Sequence, residues 1–140
     1  MTVKKRAALP ISEHTFQRQV VDYMTVAVRP ELHWSAIPNG GRRSLSVAVK
    51  LKREGVRRGS PDIFVMLPEG RIAWLELKIK GGSLSQEQRG FRDVCQKLGH
   101  HWSVAKTLDE AKEFLTAIGA VRVHQESQTK QKEKATWNGD

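Results

Sequence analysis

The chain places three residues that could do chemistry together on two consecutive apolar segments. Asp62, preceded by Pro61, begins the first segment, and Glu76 and Lys78 lie at the end of the second. The link Pro68-Glu69-Gly70 predicts a β-hairpin, because it contains turn-forming residues and is too short for a crossover between parallel strands. A tight hairpin would bring the carboxylates of Asp62 and Glu76 toward each other. Because side chains alternate along a strand, Glu76 and Lys78 share one face.

Two carboxylates at short range repel each other, and one of them holds a proton unless a cation neutralises the pair. Mg²⁺ suits such a pair, because it prefers oxygen ligands and is commonly held by one or two carboxylates together with substrate phosphates. The backbone oxygen of Leu77 is a further candidate ligand. Lys78 is placed to orient a water molecule or to stabilise negative charge on a phosphate. The competing interpretation is a Glu76–Lys78 salt bridge on a solvated face, since Glu-x-Lys is a common pattern.

The composition indicates a small, strongly basic domain. The 140 residues include 24 Lys and Arg against 15 Asp and Glu, which gives a formal net charge of +9. This length suits one domain, and the positive field favours phosphate-rich partners or anionic membranes. No apolar run is long enough for a transmembrane helix or a signal peptide, so we expect a soluble, cytoplasmic protein that is not secreted. The single Cys95 excludes an internal disulfide and is expected to be a small core residue.

Apolar periodicity, caps and breakers predict an α/β fold with a mixed sheet. The predicted order is helix, strand, helix, strand, strand, helix, strand, helix, over residues 12–28, 33–37, 45–54, 62–67, 71–78, 85–98, 101–106 and 107–119. Thr107 and Glu110 predict a capping box, and residues 38–41 (Pro-Asn-Gly-Gly) predict a turn. We expect a flexible basic arm at 1–10, a folded domain at 11–123 and a disordered tail at 124–140. The tail is rich in Gln, Lys and Glu and has no apolar period to bury.

Polar residues interrupt the apolar stripes of two predicted helices. The stripes are Glu13, Gln17, Val20, Met24 and Ala27 on the first helix, and Leu84, Gln88, Phe91, Cys95 and Leu98 on the third. One polar residue in such a stripe usually marks a helix end that reaches solvent. Three of them, Glu13, Gln17 and Gln88, on two helices that would flank the same hairpin indicate a shared polar pocket.

The order of these residues resembles the VRR-NUC (virus-type replication-repair nuclease) domain of the PD-(D/E)XK superfamily. The matching strings are Leu51-Lys52-Arg53-Glu54-Gly55, Gly59-Ser60-Pro61-Asp62-Ile63, Trp74-Leu75-Glu76-Leu77-Lys78 and Leu84-Ser85-Gln86-Glu87-Gln88. Glu13 and Gln17 match the family's helical acidic motif, and Asn39-Gly40-Gly41 matches its loop. Pro-Asp followed by Glu-x-Lys is a weak signal alone. The ordered set with Gly-x-Pro-Asp and Ser-x-x-Gln is specific, and it spans residues 11–119.

The resemblance implies a restriction-endonuclease-like core, a mixed β-sheet flanked by helices. It also implies a role for each matching residue. Asp62 and Glu76 would be metal ligands, and Glu13 would contribute to the metal site directly or through water. Lys78 would be the catalytic lysine, and Gln88 would be an active-site residue that fixes Lys78. Gln17 and Ser60 would be supporting residues.

The resemblance further implies a substrate class and an assembly. Short, stand-alone members are homodimeric endonucleases on branched DNA, similar to Holliday-junction resolvases, whereas longer members act on flaps. We therefore expect a Mg²⁺-dependent endodeoxyribonuclease, with Mn²⁺ as a substitute, that works as a homodimer on branched or four-way-junction DNA. Nicking of flaps, a non-catalytic basic DNA-binding module, and RNA binding based on charge alone are the alternatives.

Basic residues near these motifs are candidates for phosphate contacts, which position DNA without reading its sequence. They are Arg42, Arg43, Lys50, Lys52, Arg53, Arg57, Arg58, Lys80, Arg89 and Arg92. For any one of them, a solvated surface position is the simpler interpretation.

Overall fold

A computed structural model describes residues 10–38 and 44–122 of the chain. Its helices are α1 (Glu13–Ala27), α2 (Leu45–Arg53), α3 (Gln86–Leu98) and α4 (Leu108–Ala117), and its strands are β1 (Trp34–Ala36), β2 (Ile63–Met66), β3 (Ile72–Leu77) and β4 (His101–Ala105). The order is the predicted one, and each boundary lies within two residues of its predicted position. Residues 1–9 of the predicted basic arm, the tail at 124–140 and residues 39–41 of the predicted turn lie outside the described residues.

The four strands form one mixed sheet in the order β1-β2-β3-β4. The pairs β1–β2 and β2–β3 are antiparallel, whereas β3–β4 is parallel. The β2–β3 pair is the predicted hairpin, and its link contains a short 3-10 turn at Pro68–Gly70. β4 runs parallel to β3 because the connection between them, which contains α3, is long enough to cross back over the sheet. The predicted α/β fold with a mixed sheet is confirmed.

The main core lies between one face of the sheet and the helices α1 and α4. Its most buried side chains are Phe16, Val20, Met24, Ile63, Val65, Ala73, Leu75, Ala105, Ala111, Leu115 and Ala120. Alternate residues of β3 point into this core, beginning at Ala73. Glu76 is therefore directed to the opposite face, together with Trp74.

α3 covers that opposite face. Trp74 of β3 contacts Phe91 of α3 edge to face, with ring centroids 4.8 Å apart. Cys95 of α3 is buried, as the sequence predicted. Leu98 was predicted in the same buried stripe, but 66% of it is exposed. It is the last residue of α3, and the chain turns away from the helix at Gly99.

Each helix begins at a hydroxyl residue whose side chain accepts a backbone N–H from the first turn. The capping residues are Ser12, Ser44, Ser85 and Thr107. The predicted capping box at Thr107 is half formed. The Glu110 carboxylate accepts the N–H of Lys106 at 2.6 Å instead of that of Thr107, because Lys106 follows the last residue of β4 and its N–H is available at the helix end. Only the box at Ser85 is complete among the described helices.

α2 packs differently from the other described helices, because none of its residues is buried. Leu45, Val47 and Val49 are exposed apolar side chains, and the last turn contains Lys50, Lys52 and Arg53. In the described part of the chain, no helix has the length and apolar character needed to cross a bilayer.

Candidate active site

Asp62 and Glu76 lie opposite each other at the open end of the β2–β3 hairpin. The register pairs Ile63 with Leu75, so one further step places Asp62 across from Glu76, and opposed residues share a face. Oδ2 of Asp62 also accepts a hydrogen bond from the N–H of Leu77 at 2.7 Å. The backbone of β3 therefore holds one oxygen of Asp62 beside the strand that bears Glu76.

Glu76 is a buried acid, with only 3% of its surface exposed. Its Oε1 accepts a hydrogen bond from Nε2 of Gln88 at 2.9 Å. Its Oε2 is also buried and accepts no hydrogen bond from a donor among the residues that the structure describes, although Glu76 and Asp62 can share a hydrogen bond when one of the two acids is protonated. A buried carboxylate oxygen without a partner is costly, so this atom indicates a site that is completed by a ligand.

Lys78 lies directly after β3 and reaches back to the same carboxylate. Its Nζ is 3.7 Å from Oε1 of Glu76. The simple interpretation of this pair was a solvated surface salt bridge. Because the side chains of Glu76 and Lys78 are only 4% and 16% exposed, the pair instead lies inside a partly enclosed pocket. Gly82 lies against the Lys78 side chain, since a Cβ at Gly82 would come 3.6 Å from Cδ of Lys78.

The electrostatics of the pocket favour a bound positive charge. Burial raises the pKa of Glu76 to about 8, and the negative charge of Asp62 adds to this while Lys78 opposes it. Burial also raises the pKa of Asp62, against the lowering effects of the Leu77 N–H and of Lys78, and the charge of Glu13 raises it further. A second cation would stabilise both ionised carboxylates.

Gln88, in the first turn of α3, contacts Glu76 and not Lys78 as the sequence had suggested. Its Oε1 accepts the N–H of Ser85 at 2.8 Å, so its NH₂ group is the part that faces the pocket. An NH₂ group donates to a carboxylate and cannot accept from an ammonium. Gln88 therefore holds Glu76, and Lys78 approaches the same oxygen from another side.

The two polar residues of α1 lie less deeply than the predicted stripe required. Glu13 is exposed in the first turn, although its charge reaches Asp62. Gln17 is half-buried, and the buried residue of that turn is its neighbour Phe16. Ser60, half-buried, directly precedes Pro61 and Asp62. Glu13 acts on the carboxylate pair electrostatically, because its negative charge raises the pKa of Asp62.

The donor set fits a small divalent cation. Within residues 10–38 and 44–122, no three acidic, histidine or cysteine side chains gather closely enough to hold a metal ion by themselves. The pair Asp62 and Glu76, with one unpartnered buried oxygen, matches the way Mg²⁺ is bound through one or two carboxylates, with water and phosphate as the remaining ligands.

The predicted phosphate contacts are exposed where the structure describes them, except Arg92, which is half-buried. Lys50, Lys52 and Arg53 lie on α2, and Arg57 and Arg58 lie in the loop that leads to Asp62. Lys80 follows Lys78, and Arg89 of α3 is partly engaged, since its Nη1 donates to the carbonyl of Leu84 at 2.9 Å. Arg92 stacks over Trp102 at 5.9 Å and is less available. Arg42 and Arg43 lie outside the described residues.

Two residues of the site were missed as site residues from the sequence. Ser85 was visible only as the first residue of Ser-x-x-Gln, the pattern of a capping box, which does not reveal that the box orients Gln88. Gly59 was visible in Gly-x-Pro-Asp. Its backbone lies against the backbone of Glu87 in α3, a contact that no local pattern predicts.

A family model for the VRR-NUC domain matches residues 8–108 of the chain. A solved structure of a "VRR_NUC domain protein" is similar over 79% of this chain and 89% of its own, with a TM-score of 0.63 and 21% identity. A second, of a "VRR_NUC domain", covers 74% and 94%, with a TM-score of 0.49 and 17% identity. At 21% identity, the similarity to the first structure shows a shared fold. The TM-score of the second structure is too low to show one. No curated protein matches the chain.

Proposed function

Because the chain belongs to the VRR-NUC domain family, whose domains have a nuclease-type fold, we propose that it is a Mg²⁺-dependent endonuclease that hydrolyses phosphodiester bonds in branched DNA. The observation that supports this most strongly is the buried Glu76 carboxylate opposite Asp62, with Oε2 unpartnered in the described structure and Lys78 beside it. DNA suits the net charge of +9.

Asp62 and Glu76 would hold the cation, with the backbone oxygen of Leu77 as a further ligand and Glu13 acting directly or through water. Mn²⁺, with similar ligand preferences, would substitute. When bound, the cation supplies a more acidic water molecule and neutralises charge that develops on the phosphate. The hydrogen bonds from Leu77 to Asp62 and from Gln88 to Glu76 keep both carboxylates in place without that charge.

Lys78 would act on the scissile phosphate. Its ammonium lies 3.7 Å from Glu76 in a pocket with little exposed surface, and charges interact more strongly where water is excluded. Held there, it stabilises negative charge on phosphate oxygens or orients the attacking water. Gln17 would support this arrangement from α1, and Ser60 would support it from the loop that leads to Asp62.

The exposed basic residues would hold the DNA backbone. The proposed contacts are Arg42, Arg43, Lys50, Lys52, Arg53, Arg57, Arg58, Lys80 and Arg89. Phosphate contacts fix position and contain no sequence information. Recognition of a branched shape is therefore more consistent with this surface than recognition of a base sequence.

A homodimer would complete the activity on four-way junctions. Symmetric resolution of a junction requires two cuts in paired strands, and the opposed carboxylates of Asp62 and Glu76 would supply one site in each chain. Two copies related by a two-fold axis supply two such sites.

The test is a panel of end-labelled DNAs incubated with the purified protein and Mg²⁺ or EDTA. The panel contains a four-way junction, a flap, a splayed arm and a plain duplex of the same sequence. We expect Mg²⁺-dependent cleavage of the junction near its branch point and little cleavage of the duplex. If the protein cleaves the flap faster than the four-way junction, the preferred substrate is a flap and not a junction. Binding of branched DNA without any cleavage in Mg²⁺ or Mn²⁺ would contradict the enzymatic proposal and favour a non-catalytic binding module.

A further inference from the structure

The orientation of the Gln88 amide is set by Ser85. The Gln88 side-chain Oε1 accepts the backbone N–H of Ser85 at 2.8 Å, while the backbone N–H of Gln88 donates to Oγ of Ser85 at 3.1 Å. With its oxygen engaged in this capping box, the amide presents Nε2 to Glu76 at 2.9 Å. A local motif at the start of α3 thus decides which atom of Gln88 meets the carboxylate.

The same turn of α3 also touches the loop that leads to Asp62. Gly59 has a φ of +103°, and a Cβ built on it would come 2.7 Å from the carbonyl carbon of Glu87 and 3.2 Å from the backbone N of Gln88. Real Cβ atoms do not approach backbone atoms so closely, so only glycine allows this contact. Ser60 and Pro61 are the two residues between Gly59 and Asp62, and Pro61 is buried.

Residues 85–88 are therefore in contact with Glu76 and with the loop that leads to Asp62. Their backbone meets the loop that precedes Asp62, and the Gln88 side chain reaches Glu76. In each carboxylate, one oxygen accepts a hydrogen bond from a neighbouring residue. Asp62 has Oδ2 bonded to the Leu77 N–H, and Glu76 has Oε1 bonded to Gln88 while Oε2 stays unpartnered within the described structure.

We propose that Gly59 and Ser85 are positioning residues, which act through Gln88 to keep Oε1 of Glu76 engaged and Oε2 available to a divalent cation. This rests on the proposed function, because it assumes that Asp62 and Glu76 hold the ion. Neither residue would contact the ion or DNA. Partners that orient a metal-ligating side chain strongly affect metal affinity, by about 10- to 100-fold when they are removed.

The experiment measures metal binding without DNA. Purified protein is titrated with Mn²⁺, and free ion is followed by its electron paramagnetic resonance signal. We expect Gly59→Ala to weaken Mn²⁺ binding on the order of tenfold. The matched control is Gly55→Ala. Gly55 also has a positive φ, of +91°, but nothing lies within 4 Å of an added Cβ. It therefore suffers the same backbone strain without the contact, and its affinity should remain within about twofold of wild type.

A second set of variants keeps the test decisive if Gly59→Ala does not fold. Ser85→Ala keeps the backbone N–H that holds Oε1 of Gln88 but removes the Oγ that accepts the backbone N–H of Gln88 and fixes the first turn of α3. It should therefore weaken Mn²⁺ binding by loosening that turn, whereas Ser85→Thr retains the hydroxyl and should restore it. Gln88→Met has a similar length without the donor, and it should match or exceed the loss in Ser85→Ala. Circular dichroism melting of each variant confirms that it is folded at the titration temperature.

The outcomes separate this inference from the proposed function. If wild type binds Mn²⁺ and the folded Ser85→Ala and Gln88→Met variants bind it equally well, the positioning role is wrong and the metal site stands. If Gly59→Ala folds and matches Gly55→Ala, the role of Gly59 is wrong. If wild type itself binds no Mn²⁺, the metal-dependent function fails, and this inference fails with it.

Discussion

Glu76 combines two features that a protein interior disfavours: it is an acid with 3% of its surface exposed, and one of its oxygens is unpartnered in the described structure. Such a residue is stable when neutral or when a cation replaces its lost hydration. The pKa of Glu76, raised to about 8, means that the side chain is neutral at lower pH when no metal is bound. Bound Mg²⁺ would convert the residue to the second state, so protons and metal compete for this carboxylate.

The stability of the metal-free protein should therefore decrease as the pH rises. Folded Glu76 has a pKa of about 8, raised from 4.5, so between these values the folded state binds more protons than the unfolded state. The contribution of the neutral side chain is fully present below about pH 4.5 and is lost as the pH rises through about 8. Urea unfolding in EDTA across this range measures it, and Glu76→Gln should flatten the dependence. Equal pH slopes for wild type and variant would contradict the assignment.

Lys78→Met should separate chemistry from binding. The substitution keeps most of the apolar stem and removes the ammonium near Glu76. Removal of one preorganised stabilising group typically costs about 100- to 1,000-fold in kcat, so we expect a loss of that size in single-turnover cleavage. Mn²⁺ affinity should be retained, since Lys78 is not a proposed ligand and its positive charge opposes a cation. A variant that cleaves at the wild-type rate would remove Lys78 from the mechanism.

Among the elements, α2 is the one whose role is least explained by packing. A nine-residue helix is marginal in water by itself, and no side chain of α2 is buried. Its sequence contains Lys50, Lys52 and Arg53 and no acidic residue. Those charges suit the phosphate backbone that the proposed activity requires.

Neutralising two charges on α2 should weaken DNA binding and lower its salt dependence. Lys52→Ala with Arg53→Ala removes two proposed phosphate contacts, so the slope of log affinity against log salt should fall by about two. The matched control is Arg71→Ala with Lys97→Ala, an equal charge change at exposed residues. Arg71 directly precedes β3, whereas Glu76 lies near the end of that strand. Lys97 lies near the end of α3, whereas Gln88 lies in its first turn. Equal slopes for the two double variants would show that net charge alone matters.

The elements were more predictable than their contacts. The hairpin followed from the turn at Pro68–Gly70 and from alternation in β3, which are local properties of the sequence. The stripe on α1 was right at Val20 and Met24, but it included Gln17 where Phe16 is buried. Phe16 lies four residues and Gln17 three residues before Val20, and both spacings fit one helical face, so periodicity alone does not choose between them.

The partner of Gln88 depended on information that no local pattern contains. Its contact with Glu76 requires that α3 cross a particular part of the sheet and that Ser85 fix the direction of the amide. The contact between Gly59 and Glu87 requires the same crossing. The sequence could therefore name Asp62, Glu76, Lys78 and Gln88 as a group, but it could not show which residue Gln88 contacts or that Ser85 and Gly59 lie beside it.

At the scale of the whole molecule, the surface is basic, whereas the pocket contains two acids. A basic exterior attracts DNA over a distance of about a Debye length, ~10 Å at 0.1 M salt. Inside it, an acidic pair is costly unless it is matched by a cation. This contrast is consistent with a nuclease, in which the surface binds phosphates and the pocket binds the metal that acts on one of them.

The proposed homodimer predicts a mass in solution of twice the 15.8 kDa of one chain. Size-exclusion chromatography with light scattering measures it directly. Two sites in one particle should also cut both strands of a junction within the lifetime of one complex. A monomer that nicks only one strand would contradict the resolvase-like part of the proposal and leave a nuclease that acts on other branches.

The most direct test of the central claim compares wild type with Asp62→Asn on a labelled four-way junction in Mg²⁺. The account predicts cleavage by wild type that requires the metal. It predicts that the folded, DNA-binding variant cleaves at least about 100-fold more slowly, since loss of a ligand should cost more than loss of a residue that only orients one. Cleavage by Asp62→Asn at the wild-type rate, or equal cleavage by wild type in EDTA, would contradict it.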